Sequence, residues 1–533
     1  MGNCNGSEES IKSTAFASAH TKTTRGNLVF NTTNRDVGDH YEVVHLLGEG
    51  SMGSVACVKK KAGAVGGSAY TVKTNGWFGK KVTKRKKVPD NVVEGTNNKL
   101  YALKSIILSR VSGEFLEELR NEIRILQDLD HPNIVKAYEV YESRVNIYVV
   151  LQHCSGGDLY SRIPYSEIQS AKIVGKLLSA IAYLHEHNVC HRDIKFENIM
   201  FEDNNPNAEI KLIDFGLSKA YSPEKKFMNE GVGTIYTMAP QVLRGVYTSA
   251  ADLWSIGVVA YMLMSNTKPF YGRKRRQVVN KILQGDFTFY SKNWNILSEE
   301  SKLFVKALIQ VDPKKRLSAV QALKHSWLDT HFPLSDRLPD KKSLDSIHES
   351  IAAYGTVGQL KKMALMVIAH QSTTDEIIEL RKAFDAYDSG NDGTISFQEF
   401  REAMQNANAD YTDDDIDNFF KSVDTGNDNK IYYLEFLAAT LEAHGRIAEE
   451  RLADAFDRLD SDDSGYISRT NFKDILGKEY TDEKVDEFLK EVDSDFDGKI
   501  SFEEFLVYFH KDQKDQVREL RPEFGESSLS ELE

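Results

Sequence analysis

Four twelve-residue stretches constrain the fold of this 533-residue chain more than any other feature. They begin at Asp388, Asp424, Asp460 and Asp493, so successive starts lie 36, 36 and 33 residues apart, with helical spacing on either side. A repeat of this length is one supersecondary unit that buries its apolar face only against a neighbour. Within each stretch, oxygen-bearing side chains recur where a hard cation needs them. Those places are positions 1, 3, 5 and 9, with a tight turn at 6 and a bidentate carboxylate at 12. Loop 493–504 has the full set: Asp493, Asp495, Asp497, Gly498, Ser501 and Glu504. Loop 388–399 keeps Asp388, Asp392, Gly393 and Glu399, but Gly390 removes the third-position ligand. Loop 424–435 keeps Asp424, Asp428 and Glu435, with Gly426 third and Asn429 at the turn, where Asn tolerates left-handed backbone. Loop 460–471 has Asp460, Asp462, Ser464 and Gly465 but ends in Asn471, which offers no carboxylate. The seventh residues, Thr394, Lys430, Tyr466 and Lys499, contribute a backbone carbonyl. The expected order of affinity is fourth, first, second, third.

Charge follows the same division. Residues 375–505 hold 36 acidic and 14 basic residues, a net −22 in a chain whose total is −13. Such a segment attracts cations and basic peptides and argues against nucleic acid. A composition of 41% apolar and 28% charged residues is that of a soluble globular protein, and the length predicts three or four domains. The longest apolar run, Trp254–Met264, is too short to span a bilayer and predicts a buried helix. No hydrophobic signal segment opens the chain. Four scattered cysteines (Cys4, Cys57, Cys154, Cys190), without C-x-x-C, fit a reducing compartment. A cytoplasmic monomer is the expectation.

The N-terminal half carries a second chemistry. In His191–Asn198, Asp193 can accept a hydroxyl proton, Asn198 can reach a metal ion, and Lys195 can lie along a transferring phosphoryl group. Sixteen residues past Asn198 come Asp214-Phe215-Gly216, a second metal-binding carboxylate on a glycine hinge. Upstream, Leu47 precedes Gly48-Glu49-Gly50-Ser51-Met52-Gly53-Ser54-Val55, whose glycines let backbone close over a polyphosphate. A dinucleotide-binding loop reads similarly on its own. What decides between them is Ala102-Leu103-Lys104 on a strand, followed eighteen residues later by Glu122 on an amphipathic helix.

H-R-D-x-K-x-x-N followed by D-F-G resembles the catalytic signature of protein kinases. The resemblance implies a bilobal α+β kinase fold over 41–328, using ATP and Mg2+. In it Lys104 pairs with Glu122 and serves the phosphates, while Asn198 and Asp214 hold the metal. The nucleotide would lie between the glycine loop, Val55, Ala102, the gatekeeper Leu151, the backbones of Gln152 and Cys154, and Asp158. Gln152 replaces the usual Glu, a change expected to matter little because that residue acts through its backbone. Lys195 and Gly233-Thr234 mark a Ser/Thr kinase, and Asp158 with Glu197 predicts substrates bearing a basic residue about three positions before the target hydroxyl. Within the activation segment, Asp214–Gln241, Glu230 stands where many kinases carry a phosphothreonine opposite Arg192. Gln241 replaces the Glu of A-P-E, so its bond to Arg316 is reduced to a hydrogen bond. Asp252 is expected to brace the catalytic loop.

Residues 1–40 are polar and aperiodic and read as a disordered arm. Met1-Gly2-Asn3-Cys4 resembles a myristoylation signal beside a palmitoylatable cysteine, with Gly6 a departure at the sixth position. A basic, Gly-rich insertion at about 59–99 suits a solvated loop or an anionic membrane surface. Residues 329–374 form a junction with helical spacing through Ile347, Ile351, Tyr354, Leu360, Met363, Met366 and Val367, with a Lys361-Lys362 edge. Residues 375–510 resemble an all-α, calmodulin-like domain of two EF-hand pairs binding Ca2+, and 511–533 read as a charged tail. Kinase, junction and four EF-hands in this order resemble the calcium-dependent protein kinases of plants and protists. The family implies that the junction occludes the cleft without calcium and is gripped by the EF lobes with it. Two other readings stand: a calcium-independent kinase with structural EF loops, and a pseudokinase that binds ATP and calcium without turnover.

Overall fold

The computed structural model describes residues 30–32, 36–49, 53–61, 99–110, 113–221, 227–228, 231–333, 339–407, 411–445, 447–462, 464–477 and 480–519. Gly2, Cys4, Gly50, Ser51, Met52, Glu230, nearly all of the insertion (62–98) and the end of the tail (520–533) lie outside them.

Six strands form one sheet: β1 (Phe30–Thr32), β2 (Tyr41–Glu49), β3 (Gly53–Lys60), β4 (Leu100–Ile107), β5 (Ala137–Glu142) and β6 (Asn146–Gln152). Their order is β1-β5-β6-β4-β3-β2, antiparallel except where β1 joins β5 in parallel. Register sets Val55 opposite Lys104 and Ala102 opposite Leu151, which brings the expected nucleotide wall onto neighbouring strands. At Gly53 a Cβ would come within 1.8 Å of the Ser105 carbonyl, so only glycine permits this approach of β3 to β4. The arm reading is corrected at its C-terminal end. Phe30–Thr32 closes one edge of the sheet, and Val37 and Tyr41 enter a small core with Tyr101, Tyr138 and Tyr141.

The second lobe is helical. Ala250–Ser265 is buried along nearly its whole length, as a helix apolar on every face beyond Asp252 and two serines must be, and stops at Asn266 in left-handed backbone (φ 54°). Glu167–Glu186, started by a Ser166–Gln169 capping box, packs across it. The chain is thus a β-sheet N-lobe and a helical C-lobe followed by a helical EF-hand region. The junction forms two helices, Lys341–Tyr354 and Gln359–Gln371. All seven apolar positions picked out by its spacing lie in a single core with the helices that flank the four acidic loops. Short antiparallel pairings join those loops two by two, Ile395 opposite Ile431 and Ile467 opposite Ile500.

Candidate active site and calcium loops

Asp193 sits at the centre of a compact polar cluster. Lys195 Nζ lies 2.6 Å from its Oδ2, while Thr234 donates from its hydroxyl (2.7 Å) and its backbone N–H (3.1 Å) to Oδ1. Asn198 Nδ2 donates to the Asp193 carbonyl (2.9 Å) and to Oδ2 (3.1 Å), which leaves the amide oxygen of Asn198 for a cation. The loop is held from below. Asp252, 1% exposed, accepts from the backbone N–H of His191 (3.0 Å) and of Arg192 (2.9 Å) and bonds His185 Nε2 (2.9 Å). Burial opposes its charge, and these partners outweigh burial to hold the carboxyl below its ordinary range.

Lys104 and Glu122 meet at 2.7 Å, and Lys104 also lies 3.5 Å from Asp214 Oδ1. Burial would lower the amine, but Glu122 and Asp214 more than compensate and hold it above its ordinary value. Asp214, in left-handed backbone (φ 60°), is half exposed at the cleft, and against partial desolvation Lys104 and His191 hold its carboxyl below its ordinary range. Phe215 is fully buried against His191, with ring centroids 4.9 Å apart. Asp193, Asn198 and Asp214 therefore offer three oxygens around one cleft, with a cation fixed at its roof, a donor set that suits a nucleotide polyphosphate carried with Mg2+.

The strand leading out of the sheet departs from expectation. Gln152 donates from Nε2 to Glu202 (2.9 Å), and its backbone N–H bonds the Lys136 carbonyl (2.9 Å). Its side chain therefore has a structural task that a backbone-only reading overlooks. Cys154 is buried, which pushes its thiol up to about 12. Asp158 accepts from the Ser161 N–H at the start of a short 3-10 turn (3.1 Å). Glu197 is exposed and accepts from the Tyr236 hydroxyl (2.6 Å). Arg316 Nη2 reaches Gln241 Oε1 at 3.3 Å, the weak contact expected of an amide in place of a carboxylate. Arg192 bonds the Leu217 carbonyl and the Tyr247 hydroxyl, and its expected partner Glu230 lies outside the described residues.

The four acidic loops share one geometry. The first Asp of each accepts from the N–H groups of residues 5 and 6, as in Asp493 with Asp497 (3.2 Å) and Gly498 (2.9 Å). Backbone is left-handed at every sixth position: Gly393, Asn429, Gly465 and Gly498, with φ of 84°, 63°, 83° and 81°. Glu399, Glu435 and Glu504 each clasp both ends of their loop, Glu504 through Ser494 N (2.8 Å) and Ser501 N (2.9 Å). Carboxylate oxygens of Asp493, Asp495 and Glu504 lie within 4.8 Å of one another, a donor set that fits calcium. Burial pushes Asp388 well above its ordinary range, reinforced by Asp392 and Glu399, a repulsion that a bound cation relieves. Loop 460–471 differs. Asn471 turns its amide N–H toward Asp462 (3.3 Å) and Ser461 (3.0 Å), and Ser464 donates to the Tyr466 carbonyl (3.0 Å). There a hydrogen-bond donor occupies the place of a ligand.

Contacts between the calcium unit and the kinase lobes had no local sequence signal. Arg381 donates two buried hydrogen bonds to the Glu202 carboxylate (2.9 and 3.3 Å), which also pairs with Lys211 at 3.0 Å. Tyr432, ninth in the second loop, sits in the kinase core against His187 and Tyr183, and its hydroxyl donates to Asp428 (2.9 Å). The Leu434 N–H donates to Asp130 (2.7 Å). Arg458 reaches Glu139 and the Tyr138 carbonyl, both at 2.9 Å. The junction helix Gln359–Gln371 touches the N-lobe at its end, through His370 on Tyr138 and Lys99 donating to the Gln371 carbonyl (2.6 Å). Along its length it is buried among the EF helices. Lys361 is 0% exposed and pairs with Glu442 at 3.3 Å, and Lys362 bonds the Ser422 carbonyl (3.1 Å).

Comparison with known proteins adds to this geometry. The protein kinase domain family matches residues 87–328, and the EF-hand domain pair matches 378–441 and 449–509. Calcium-dependent protein kinase 29 of Arabidopsis thaliana is 34% identical over 430 residues, 79% of each chain. Calcium-dependent protein kinase 21 of the same plant is 32% identical over 78% of each. Calcium-dependent protein kinase 5 of Plasmodium falciparum is 32% identical over 78% of this chain and 74% of its own.

Proposed function

This chain belongs to the calcium-dependent protein kinases, and from that premise we propose a calcium-gated serine/threonine kinase that phosphorylates proteins in a basic sequence context. Asp193 takes the proton of the target hydroxyl, and Lys195 lies beside it to balance charge on the moving phosphoryl group. Lys104, held by Glu122, orients the nucleotide phosphates. Asn198 and Asp214 would hold Mg2+, which neutralises charge between the phosphates when bound. The presence of Lys104, Glu122, Asp193, Asn198 and Asp214 in one cleft disfavours the pseudokinase reading.

The gate is carried by one observation: a junction helix rich in Leu, Met and Lys is buried from Leu360 to Ala369, its apolar side chains within the EF-hand core. An acidic pair of lobes gripping a basic amphipathic helix is a helix-in-groove contact. In this reading the helix is freed to inhibit the cleft when the lobes close. Moving from 1% to 99% active requires about 5.5 kcal/mol of differential binding between the two states. Loops 388–399, 424–435 and 493–504 supply it, and loop 460–471 contributes least. Gly2, Cys4 and the basic insertion would add weak membrane attachment, since one acyl chain anchors only marginally. The protein acts as a monomer, with the junction as its own internal ligand.

Met363→Asp with Leu365→Asp tests the grip. Activity at saturating calcium should fall to the level seen in EGTA, because the lobes can no longer retain the helix. Full calcium-stimulated activity in this variant would sink the gate while leaving the kinase assignment intact.

A further inference from the structure

The outgoing half of the second calcium loop, 424–435, is built into the kinase. Lys430 Nζ pairs with Glu186, and the Leu434 N–H donates to Asp130 at 2.7 Å. Between them Tyr432, 5% exposed, lays its ring against Tyr183 and His187, with centroids 6.5 and 5.9 Å apart. Residues 430, 432 and 434 thus present one side of the loop to the C-terminal end of the helix Glu167–Glu186. Asp130 is tied to that helix too, since its N–H and the Tyr183 hydroxyl bond at 3.0 Å. In loop 493–504 the matching residues differ: Lys499 and Glu503 are exposed, and Ser501 bonds Glu504 of its own loop. Loop 388–399 approaches the same lobe at its turn, Gly393, beside His131.

Loop 424–435 is also short of ligands. Gly426 offers no side chain at position 3, and Tyr432 stands at position 9, where an oxygen or the water it holds completes a calcium shell. The Tyr432 hydroxyl donates to Asp428 Oδ2 (2.9 Å), and the Lys430 N–H donates to Asp428 Oδ1 (3.2 Å). Both oxygens of the fifth-position carboxylate are therefore fixed by residues that the kinase itself holds. Glu435, the bidentate twelfth residue, is 4% exposed and accepts from the Tyr432 N–H (2.9 Å). It directly follows Leu434, the residue bonded to Asp130. Packing of a loop on a neighbouring lobe is ordinary, but here the residues that pack are the ones that place the ligands.

We propose that loop 424–435 is a calcium site completed by the kinase, which takes its ion with full affinity only while Tyr432 is seated against Tyr183 and His187. Seating fixes Asp428 through the Tyr432 hydroxyl and the backbone beside Glu435 through Asp130, so the loop meets the ion already ordered. The inference rests on the calcium-gated reading above and assigns one loop a separate part in it. By reciprocity, an ion in this loop draws the calcium unit onto the helical lobe by the same factor. The loop with the poorest carboxylate-ended sequence thereby becomes the one that reports docking.

Calcium calorimetry on the full-length protein tests this through a double-mutant cycle between kinase and loop. His187→Ala removes one wall of the Tyr432 seat and leaves every calcium ligand in place. One ion should then bind about tenfold more weakly. Glu435→Gln should remove that same ion, so His187→Ala added to Glu435→Gln should cause no further loss. Tyr432→Phe, which keeps the ring and drops the hydroxyl, should weaken the ion by about fivefold without disturbing the fold. An unchanged affinity in either His187→Ala or Tyr432→Phe overturns the proposal. So does a loss in His187→Ala that persists undiminished in Glu435→Gln, or a Glu435→Gln protein that binds as many ions as the wild type. Each of these leaves the calcium gate standing. Equal phosphorylation of a basic-x-x-Ser peptide by the wild type in EGTA and in calcium would instead strike the gated reading itself.

Discussion

Arg381, on the first helix of the calcium unit, and Glu202, beside the kinase hinge, form a buried bidentate pair across 179 residues of chain. Glu202 also accepts from Gln152, the hinge residue. A continuous set of bonds therefore runs from the nucleotide side of the kinase to the first EF-hand. Removing one member of a buried pair leaves the other charge uncompensated. Arg381→Met should lower stability by about 3 kcal/mol, read as a fall in Tm in calcium. An unchanged Tm would mean that Lys211 alone satisfies Glu202.

Gly393 separates calcium binding from docking. A Cβ there would come within 2.3 Å of the His131 ring, which Ser179 and the Asn133 N–H hold in place at 3.0 and 2.9 Å. The second loop uses Asn429 at the same position, so Asn suits the left-handed turn itself. Gly393→Asn should retain calcium binding by loop 388–399, measured by calorimetry, while lowering calcium-stimulated activity several-fold. Wild-type activity would show that the His131 contact carries no coupling.

The loop ranking turns on residue 12. Glu504→Gln should remove the tightest site and raise the calcium needed for half-activation by about tenfold or more. Asn471→Glu should do the reverse for loop 460–471 by restoring the carboxylate, adding one ion to the calorimetric count. An unaltered count in Asn471→Glu would mean that the loop is limited by something other than its last residue.

Acid should loosen the interface through Glu139. Burial would raise this carboxyl, but Arg458 and Lys60 outweigh burial and bring it down to about 2. Its folded value lies below its unfolded one, so the stabilisation is full above about pH 4.5 and is lost as pH falls toward 2. The shift corresponds to about 3 kcal/mol. The Tm difference between wild type and Glu139→Gln should be constant from pH 5 to 8 and shrink below about pH 4.5. A pH-independent difference would place the role of Glu139 in packing rather than charge.

Local pattern gave the chemistry its address. The eighteen-residue spacing of Lys104 and Glu122 ends in a 2.7 Å contact, because a strand lysine and a helix glutamate have one way to meet across this sheet. The four loops and the junction were legible for the same reason, since ligand spacing and helical period are short-range signals. Phe30–Thr32 was not, because three residues in a polar arm carry no period and gain their place only from pairing with β5. Tyr432, ninth in the second loop, drew no reading from the sequence, and it is an anchor in the kinase core. Gln152 gains meaning only from Glu202, fifty residues away. Such long-range pairings leave no trace in spacing.

The most direct measurement is phosphorylation of a basic-x-x-Ser peptide by the full-length protein with Mg·ATP, in EGTA and across a calcium titration. The account predicts very low activity in EGTA and a steep rise in the micromolar range, displaced to higher calcium by Glu504→Gln. Equal activity in EGTA and in calcium would contradict it, leaving a kinase whose EF-hands serve only as structure.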